Sequence, residues 1–249
     1  MLDTHNYARS SIAKTLFGSG SQTGGGYSSI FKTNVSDLFK VITSKKEFFI
    51  LIFVNLIVQL GITYYVMENI DSNPNNKDTK NKMRMTKFAL IGFVILLAFV
   101  PMPVYLKFFV FCGFSSAWGY LFSSIRPVVG EDNVRMAVLG ALSIFALMFV
   151  FGAGLIVSGI KLGFKFGITL FYALLGLIIF QIMQLFIPTA SVIKKTITMI
   201  TLMLFSVYVV YDTNSILQRS YYGDFITASL DYYMDVLNIF VSLLSFGRD

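Results

Sequence analysis

Two acidic side chains lie at or inside long apolar segments, where a charge is unfavourable. Asp212 follows the mainly apolar residues 208–211, and Asp235 lies within the last apolar segment. A charged side chain at the centre of a membrane-spanning helix costs roughly 2.5–3.5 kcal/mol on insertion scales, so it usually faces a partner or a cavity. Paired carboxylates can share a proton or bind a hard cation. These two acids are therefore the residues with the strongest potential for chemistry.

Each acid shares a helical face with further polar residues. On helices, one face would carry Tyr208, Asp212 and Ser215, and another would carry Asp231, Asp235 and Asn238. If the two faces meet, both carboxylates cannot ionise cheaply in a low-dielectric interior. They would then share one proton and titrate as a pair, which predicts a pH-sensing or gating site supported by the neighbouring polar residues.

The same carboxylates could bind a cation. Ca²⁺ takes about six to eight oxygen ligands, and we expect Asp212 and Asp235 to act as metal ligands with Tyr208, Asn214 and Asn238 nearby. So few ligands predict a transient, partly hydrated Ca²⁺ site and no tightly bound cofactor. Weak binding is also what conduction requires, because an ion that is held too firmly does not leave.

Structural explanations of the same acids stay open at this point. Asp212 could end its helix and turn outward into headgroup water, because the helix macrodipole disfavours an anion there. Asp231 could be the N-cap of the last helix. Asp235 could accept a hydrogen bond from the hydroxyl of Tyr208 or Tyr211.

The composition predicts an all-α integral membrane protein with almost no soluble domain. Hydrophobic residues make up 55% of the chain and charged residues 13%, and the mean hydropathy is +0.71. A soluble domain would carry roughly 25% charged residues. The net charge of +7 is spread along the chain and collects at segment ends, which favours the lipid bilayer as partner and excludes nucleic acid.

Seven apolar segments are long enough to predict transmembrane helices. The run 88–125 holds 38 residues and would form a helix of about 57 Å, nearly twice the thickness of the hydrocarbon core. It must therefore be two helices, broken between Pro101 and Pro103. The predicted spans lie near 48–67, on both sides of this break, and near 136–157, 164–186, 193–212 and 231–247.

The domain prediction separates a tail from the membrane region. Residues 1–29 are polar and glycine-rich, and the prediction is a flexible tail over 1–46 followed by a seven-helix membrane domain over 47–249. Helical spacing of apolar residues over 30–42 predicts either an interfacial amphipathic helix or an ordered leader packed on the bundle. Basic residues divide equally between the two sides of the membrane, so the positive-inside rule gives no orientation. The lysines at 40, 45 and 46 favour a cytoplasmic N-terminus.

Two sequence motifs around the acids resemble a known family. The segments Tyr208-Val-Val-Tyr-Asp212-Thr and Tyr232-Tyr-Met-Asp235-Val-Leu-Asn238-Ile-Phe240 closely resemble the last two helices of the Bax inhibitor family, the transmembrane Bax inhibitor motif-containing proteins. Residues 119–125 and 137–145 resemble its third and fourth spans more weakly. One departure is that bacterial members carry an arginine latch in the second span, whereas this chain has no arginine there and Lys107 lies near a helix end.

The resemblance implies a fold and a function. The fold would be a seven-transmembrane-helix bundle with the short last helix central. The function would be a pH-sensitive calcium leak across an endoplasmic reticulum, Golgi or bacterial plasma membrane, together with suppression of cell death (apoptosis). The matching aspartates of the family form the pH sensor, and that role is carried over to Asp212 and Asp235 only. Partners would then be Ca²⁺ and protons.

Two other classes of function are alternatives to a channel. An enzyme is not expected, because the one histidine, His5, lies in the tail and no nucleophile with a base stands out. The alternative is a non-conducting scaffold that regulates cell death by binding other membrane proteins of the cell-death machinery. The small residues Gly152, Gly154, Ser158 and Gly159 could serve such contacts, although they more often serve internal packing. Neutralising either aspartate would reduce flux through a channel and leave the partners of a scaffold bound.

Overall fold

The computed structural model describes residues 42–43, 45–70, 72, 76–184, 190–219 and 224–246. Within these ranges the chain is helical and contains no strand, as expected for an all-α protein. The predicted tail and nearly all of the predicted helix at 30–42 lie outside them. The long helices are α1 (Lys46–Asn69), α2 (Lys77–Phe99), α3 (Val104–Ser123), α4 (Glu131–Val157), α5 (Phe164–Met183), α6 (Ser191–Arg219) and α7 (Phe225–Phe246), and a one-turn helix (Arg126–Val129) precedes α4.

Local sequence signals explain several helix boundaries. The Asn76 side chain accepts a hydrogen bond from the backbone N–H of Asp78 and so caps α2. The break between α2 and α3 falls at residues 100–103, and Pro103 is the N-cap of α3. The prediction that the run 88–125 forms two helices is therefore confirmed.

The predicted ends of the last two helices were wrong. The prediction ended the sixth helix at residue 212, but α6 continues to Arg219. The prediction began the seventh at residue 231, but α7 begins at Phe225. The polar residues that follow Asp212 were read as a loop, although they continue the helix and most of them are buried.

Among the described residues, five segments are long and apolar enough to cross a membrane: Lys46–Asn69, Val104–Val129, Glu131–Val157, Phe164–Met183 and Ser191–Gln218. Neither α2 nor α7 meets that criterion. The first half of α2 is strongly basic, and α7 carries both Asp231 and Asp235. Five apolar helices of this length are typical of a multi-pass membrane protein.

Among the described helices, α7 has the largest number of buried residues. It packs against α1, α3, α4 and α6. In contrast, α5 packs mainly on α6 and buries only Leu170 and Leu177. On α7, the rings of Tyr232 and Tyr233 are both completely buried. The ring of Tyr232 lies edge-on to Phe145, with 5.1 Å between the centroids, an arrangement that aromatic pairs favour.

Two glycines allow close helix crossings. A Cβ atom on Gly152 would lie 2.7 Å from the carbonyl oxygen of Val210, so α4 and α6 touch through their backbones there. A Cβ atom on Gly119 would lie 2.6 Å from the carbonyl oxygen of Thr63, where α3 crosses α1. Gly152 is therefore an internal packing residue and does not belong to a surface for a partner protein. Small residues allow this kind of close backbone approach between membrane helices.

Candidate functional site

Asp212 and Asp235 face each other between α6 and α7. Both side chains are buried, with 9% of Asp212 and 3% of Asp235 exposed. Their carboxyl groups are in hydrogen-bonding contact. Neither residue is at a helix end, because α6 continues to Arg219 and α7 starts at Phe225. The structure therefore brings together the two acids that the sequence singled out.

A carboxyl–carboxyl hydrogen bond has a chemical requirement. An ionised carboxylate can only accept hydrogen bonds, so one of the two groups must carry the proton that is donated. In the described part of the chain, the Oδ2 atom of Asp235 is buried and receives no hydrogen bond from an amide or hydroxyl group. A hydrogen bond between the carboxyl groups of Asp212 and Asp235 therefore requires that the two groups share a proton.

Two of the structural explanations of these acids do not hold. Asp212 does not turn outward into headgroup water, because it is buried inside α6. Asp231 is not the N-cap of α7, because it lies within the helix. The predicted hydrogen bonds from Tyr208 or Tyr211 to Asp235 are absent at its Oδ2 atom among the described residues. The explanations of Asp212 and Asp231 fail because the helix ends that they require lie elsewhere in the chain.

The other predicted site residues lie at different distances from the pair. Asp231 is half-buried and close enough to act electrostatically on both Asp212 and Asp235. Tyr208 is half-buried, stacks on Phe205 at 5.7 Å between ring centroids, and lies within electrostatic range of both acids. Tyr208 on α6 and Asp231 on α7 therefore both lie near the acid pair.

Asn238 and Asn214 are engaged elsewhere. The side-chain amide of Asn238 donates to the carbonyl oxygen of Met234 in its own helix at 2.7 Å. The Oδ1 atom of Asn214 accepts a hydrogen bond from the backbone N–H of Leu162 at 2.8 Å and another from Gln218 at 2.6 Å. Asn214 thus binds the loop before α5 to α6. Its side-chain oxygen is therefore already engaged by two donors.

The described residues contain no group of three or more His, Cys, Asp or Glu side chains that could hold a metal ion. Asp212 and Asp235 alone offer too few ligands for a protein cage around Ca²⁺, which takes about six to eight oxygens. A cation at this pair would keep much of its water. The donor set is therefore compatible with passage of an ion.

A buried hydrogen bond fixes α7 beside α6 near the pair. The Tyr232 hydroxyl donates to Oγ1 of Thr213 at 2.9 Å, and both residues are completely buried. Thr213 directly follows Asp212 in the chain. This hydrogen bond therefore ties α7 to α6 one residue from the acid pair.

A buried polar network holds the opposite side of α7. Gln59 of α1 donates to Oδ1 of Asn55 at 3.3 Å and accepts from the Ser115 hydroxyl at 2.8 Å. Asn55 in turn donates to the Ser229 hydroxyl of α7. Thr63 and Tyr233 complete the network through their hydroxyl oxygens, which lie 2.6 Å apart. Sequence reasoning missed this network, although Asn55, Gln59 and Thr63 recur every four residues within an apolar run.

A charged cluster stabilises the first turn of α7. Asp224 accepts hydrogen bonds from the backbone N–H of Thr227 at 3.0 Å and from Nζ of Lys107 at 2.6 Å. Lys107 also donates to the Thr227 hydroxyl. Burial alone would raise the pKa of Asp224, but the hydrogen bonds and charge of Lys107, with the bonds from Thr227, outweigh burial and hold that pKa below its ordinary value. Asp224 therefore has the capping role that was predicted for Asp231.

A second lysine binds the end of α6. Nζ of Lys45 donates to the carbonyl oxygens of Ile216, at 3.3 Å, and Leu217. These carbonyls belong to the last turn of α6, where a cation is favourable. Burial lowers the pKa of Lys45. The last turn of α6 and the first turn of α7 are thus each bound by a lysine from another part of the bundle.

The family follows from comparison with known proteins. A family model described as "Inhibitor of apoptosis-promoting Bax1" matches residues 40–247, which include every helix of the structure. The chain belongs to the Bax inhibitor family. The resemblance predicted from the two aspartate motifs is confirmed.

Individual relatives of this Bax inhibitor family member come from a plant, a bacterium and a virus. It is 34% identical to Protein LIFEGUARD 1 of Arabidopsis thaliana over 119 residues, which cover 46% of this chain and 48% of the relative. It is 31% identical to an uncharacterized protein of Campylobacter jejuni over 152 residues, 59% of this chain and 62% of the relative. It is 24% identical to the Golgi anti-apoptotic protein of Vaccinia virus over 158 residues, 63% of this chain and 64% of the relative. The chain thus spans about half the length of the first relative, and less than two thirds of each.

Proposed function

We propose that this protein is a pH-sensitive calcium leak channel gated by the Asp212–Asp235 pair. The observation that carries the proposal is the buried contact between the two carboxyl groups at the α6–α7 interface. In the proposed architecture all seven long helices cross the membrane and α7 is the central helix. Its contacts with α1, α3, α4 and α6 support that position.

The pair would act as a gate through its shared proton. With one proton present, the carboxyl–carboxyl hydrogen bond holds α6 and α7 together and leaves one negative charge. Loss of the proton places two anions in contact inside a low-dielectric interior, where they repel each other strongly. The repulsion separates α6 from α7, and the exposed oxygens attract a partly hydrated Ca²⁺ ion. Flux should therefore rise as the pH rises.

The cellular role is proposed from the family. The matching family model and the viral relative both carry descriptions that refer to apoptosis. We therefore assign this protein a role in suppressing cell death and no catalytic activity. The viral relative is described as a Golgi protein, which supports a Golgi or endoplasmic reticulum membrane in a eukaryotic or viral setting. A bacterial host would place the protein in the plasma membrane.

The proposal is tested by calcium flux into sealed vesicles. The full chain is reconstituted into liposomes that contain a calcium indicator, and flux is compared with protein-free liposomes at neutral pH. Calcium entry above the protein-free rate is expected, and the Asp212→Asn variant should reduce it. Properly folded protein that passes no more calcium than empty liposomes would overturn the channel. A scaffold that binds other membrane proteins of the cell-death machinery would then be the better explanation.

A further inference from the structure

The first half of α2 carries an unusual density of exposed positive charge. Its exposed basic residues are Lys77, Lys80, Lys82, Arg84 and Lys87. Asp78 is the only acid in α2. Across the part of the chain that the structure describes, none of these five side chains makes an ion pair or a side-chain hydrogen bond. Within the described residues, their charge is therefore not balanced by an ion pair.

Most of these charges lie on one face of α2. The positions 77, 80, 84 and 87 follow the three- and four-residue spacing of a single helical face. A different face contacts the bundle, through the buried residues Leu90 and Leu97 and through the Phe93 ring, which packs on Gly113 of α3. The basic face, defined here as Lys77, Lys80, Arg84 and Lys87, is thus open to the surroundings.

The depth of the basic face in a membrane depends on the length of the apolar half of α2. The apolar stretch Phe88–Phe99 holds 12 residues and is about 18 Å long, against about 30 Å for the hydrocarbon core. If α2 crosses the membrane beside α3, roughly eight further residues must make up the difference. Those residues reach back to Lys80. Lysine and arginine at such positions extend their side chains toward the headgroups.

We propose that the basic face of α2 binds the headgroups of anionic phospholipids in the adjacent leaflet. Three observations favour this occupant. The side chains are cationic and lack partners in the described structure, they can extend from α2 toward the headgroups, and the exposed apolar side chains of Met85, Phe88 and Ile91 lie on the same helix to contact the acyl chains. Clusters of four or more basic residues next to a membrane helix attract anionic lipid in this way.

The test measures lipid binding and does not depend on calcium flux, so its failure is distinct from failure of the channel. The full-length protein in detergent is titrated with phosphatidylglycerol or phosphatidylcholine, and bound lipid is counted by native mass spectrometry. The test variant is Lys80→Gln/Arg84→Gln/Lys87→Gln. The matched control is Lys161→Gln/Lys165→Gln/Lys194→Gln, which removes the same charge from exposed positions elsewhere. A charge-retaining variant, Lys80→Arg/Arg84→Lys/Lys87→Arg, controls for folding.

The expected result is preferential phosphatidylglycerol binding by the wild type and by both controls. Because each basic residue near a membrane contributes about fivefold to affinity, the test variant should lose at least about tenfold. Inorganic phosphate should not displace the lipid. Equal binding of both lipids by the wild type, an equal loss in the matched control, or competition by inorganic phosphate would each overturn the proposal.

Discussion

The carboxyl group of Asp212 contacts that of Asp235 across the α6–α7 interface, beside the hydrogen bond from Tyr232 to Thr213. The acid pair therefore lies between two helices that are already bound together. On its other side, α7 is bound to α1 through the buried side chains of Asn55 and Ser229 and of Thr63 and Tyr233. A change in the proton content of the pair acts directly on the contact between α6 and the most buried helix of the bundle.

The ion pair at the start of α7 should make stability depend on pH. Because the pKa of Asp224 is below its ordinary value, its contribution is present above the unfolded-state pKa of about 3.9. It is lost as the pH falls through the lower folded-state pKa. The side chain is 42% exposed, so the effect should be small. We expect Asp224→Asn to lower the thermal unfolding midpoint at neutral pH, and the difference from wild type to shrink in acid.

The measurement is a set of thermal unfolding curves in detergent, followed by fluorescence of the single tryptophan, Trp118. Asp132→Asn serves as the control because Asp132 is exposed. A difference between Asp224→Asn and wild type that stays constant from neutral to acid pH would contradict the assigned role.

The polar network around Gln59 should contribute measurably to stability. In Gln59→Leu, Asn55 and Ser115 each lose a partner while they remain buried. Leaving buried polar groups unsatisfied costs about 1–3 kcal/mol. We expect a clear drop in the unfolding midpoint of that variant. Gln181→Leu is the matched control, since Gln181 is exposed on α5. An equal effect of both substitutions would show that the network adds nothing.

The crossing of α4 and α6 should tolerate no side chain at Gly152. A Cβ atom there would lie 2.7 Å from the carbonyl oxygen of Val210, whereas nothing lies within 4 Å of a Cβ atom on Gly154. Overpacking costs about 1–3 kcal/mol, and the gain in helix propensity from glycine to alanine is about 1 kcal/mol. Gly152→Ala should therefore be less stable than Gly154→Ala when the unfolding midpoints are compared. The reverse order would place the close contact elsewhere.

The fold could be predicted where the signals are local. The break at Pro101–Pro103 follows from the geometry of the proline ring alone. The seven apolar segments of the sequence correspond to the seven long helices. The end of α6 could not be predicted, because residues after Asp212 are polar and resemble a loop. One of them, Asn214, donates to the carbonyl oxygen of Ile160 and accepts from the backbone N–H of Leu162, and these hydrogen bonds stabilise the helix there. These contacts are tertiary and cannot be read from the local sequence.

Part of the site could also be predicted from local signals in the sequence. Asp212 and Asp235 were found because each is an acid in an apolar segment, and their helices are consecutive. The role of Gln59 was not predicted, because the sequence does not show that Ser115 and Asn55 become its partners when the helices pack together. The capping role of Asp224 was assigned to Asp231 because the start of α7 was placed too late.

The most direct test of the account is the pH profile of calcium flux in liposomes that contain the Asp235→Asn variant. Asparagine can still donate a hydrogen bond to Asp212 but cannot lose a proton, so it mimics the singly protonated pair. Wild-type flux should rise from about pH 6 to about pH 8, by at most about tenfold per pH unit for the loss of one proton. The variant should stay at the low-pH rate throughout, whereas Asp132→Asn should follow the wild type. A variant with the same pH profile as wild type would contradict gating by this pair.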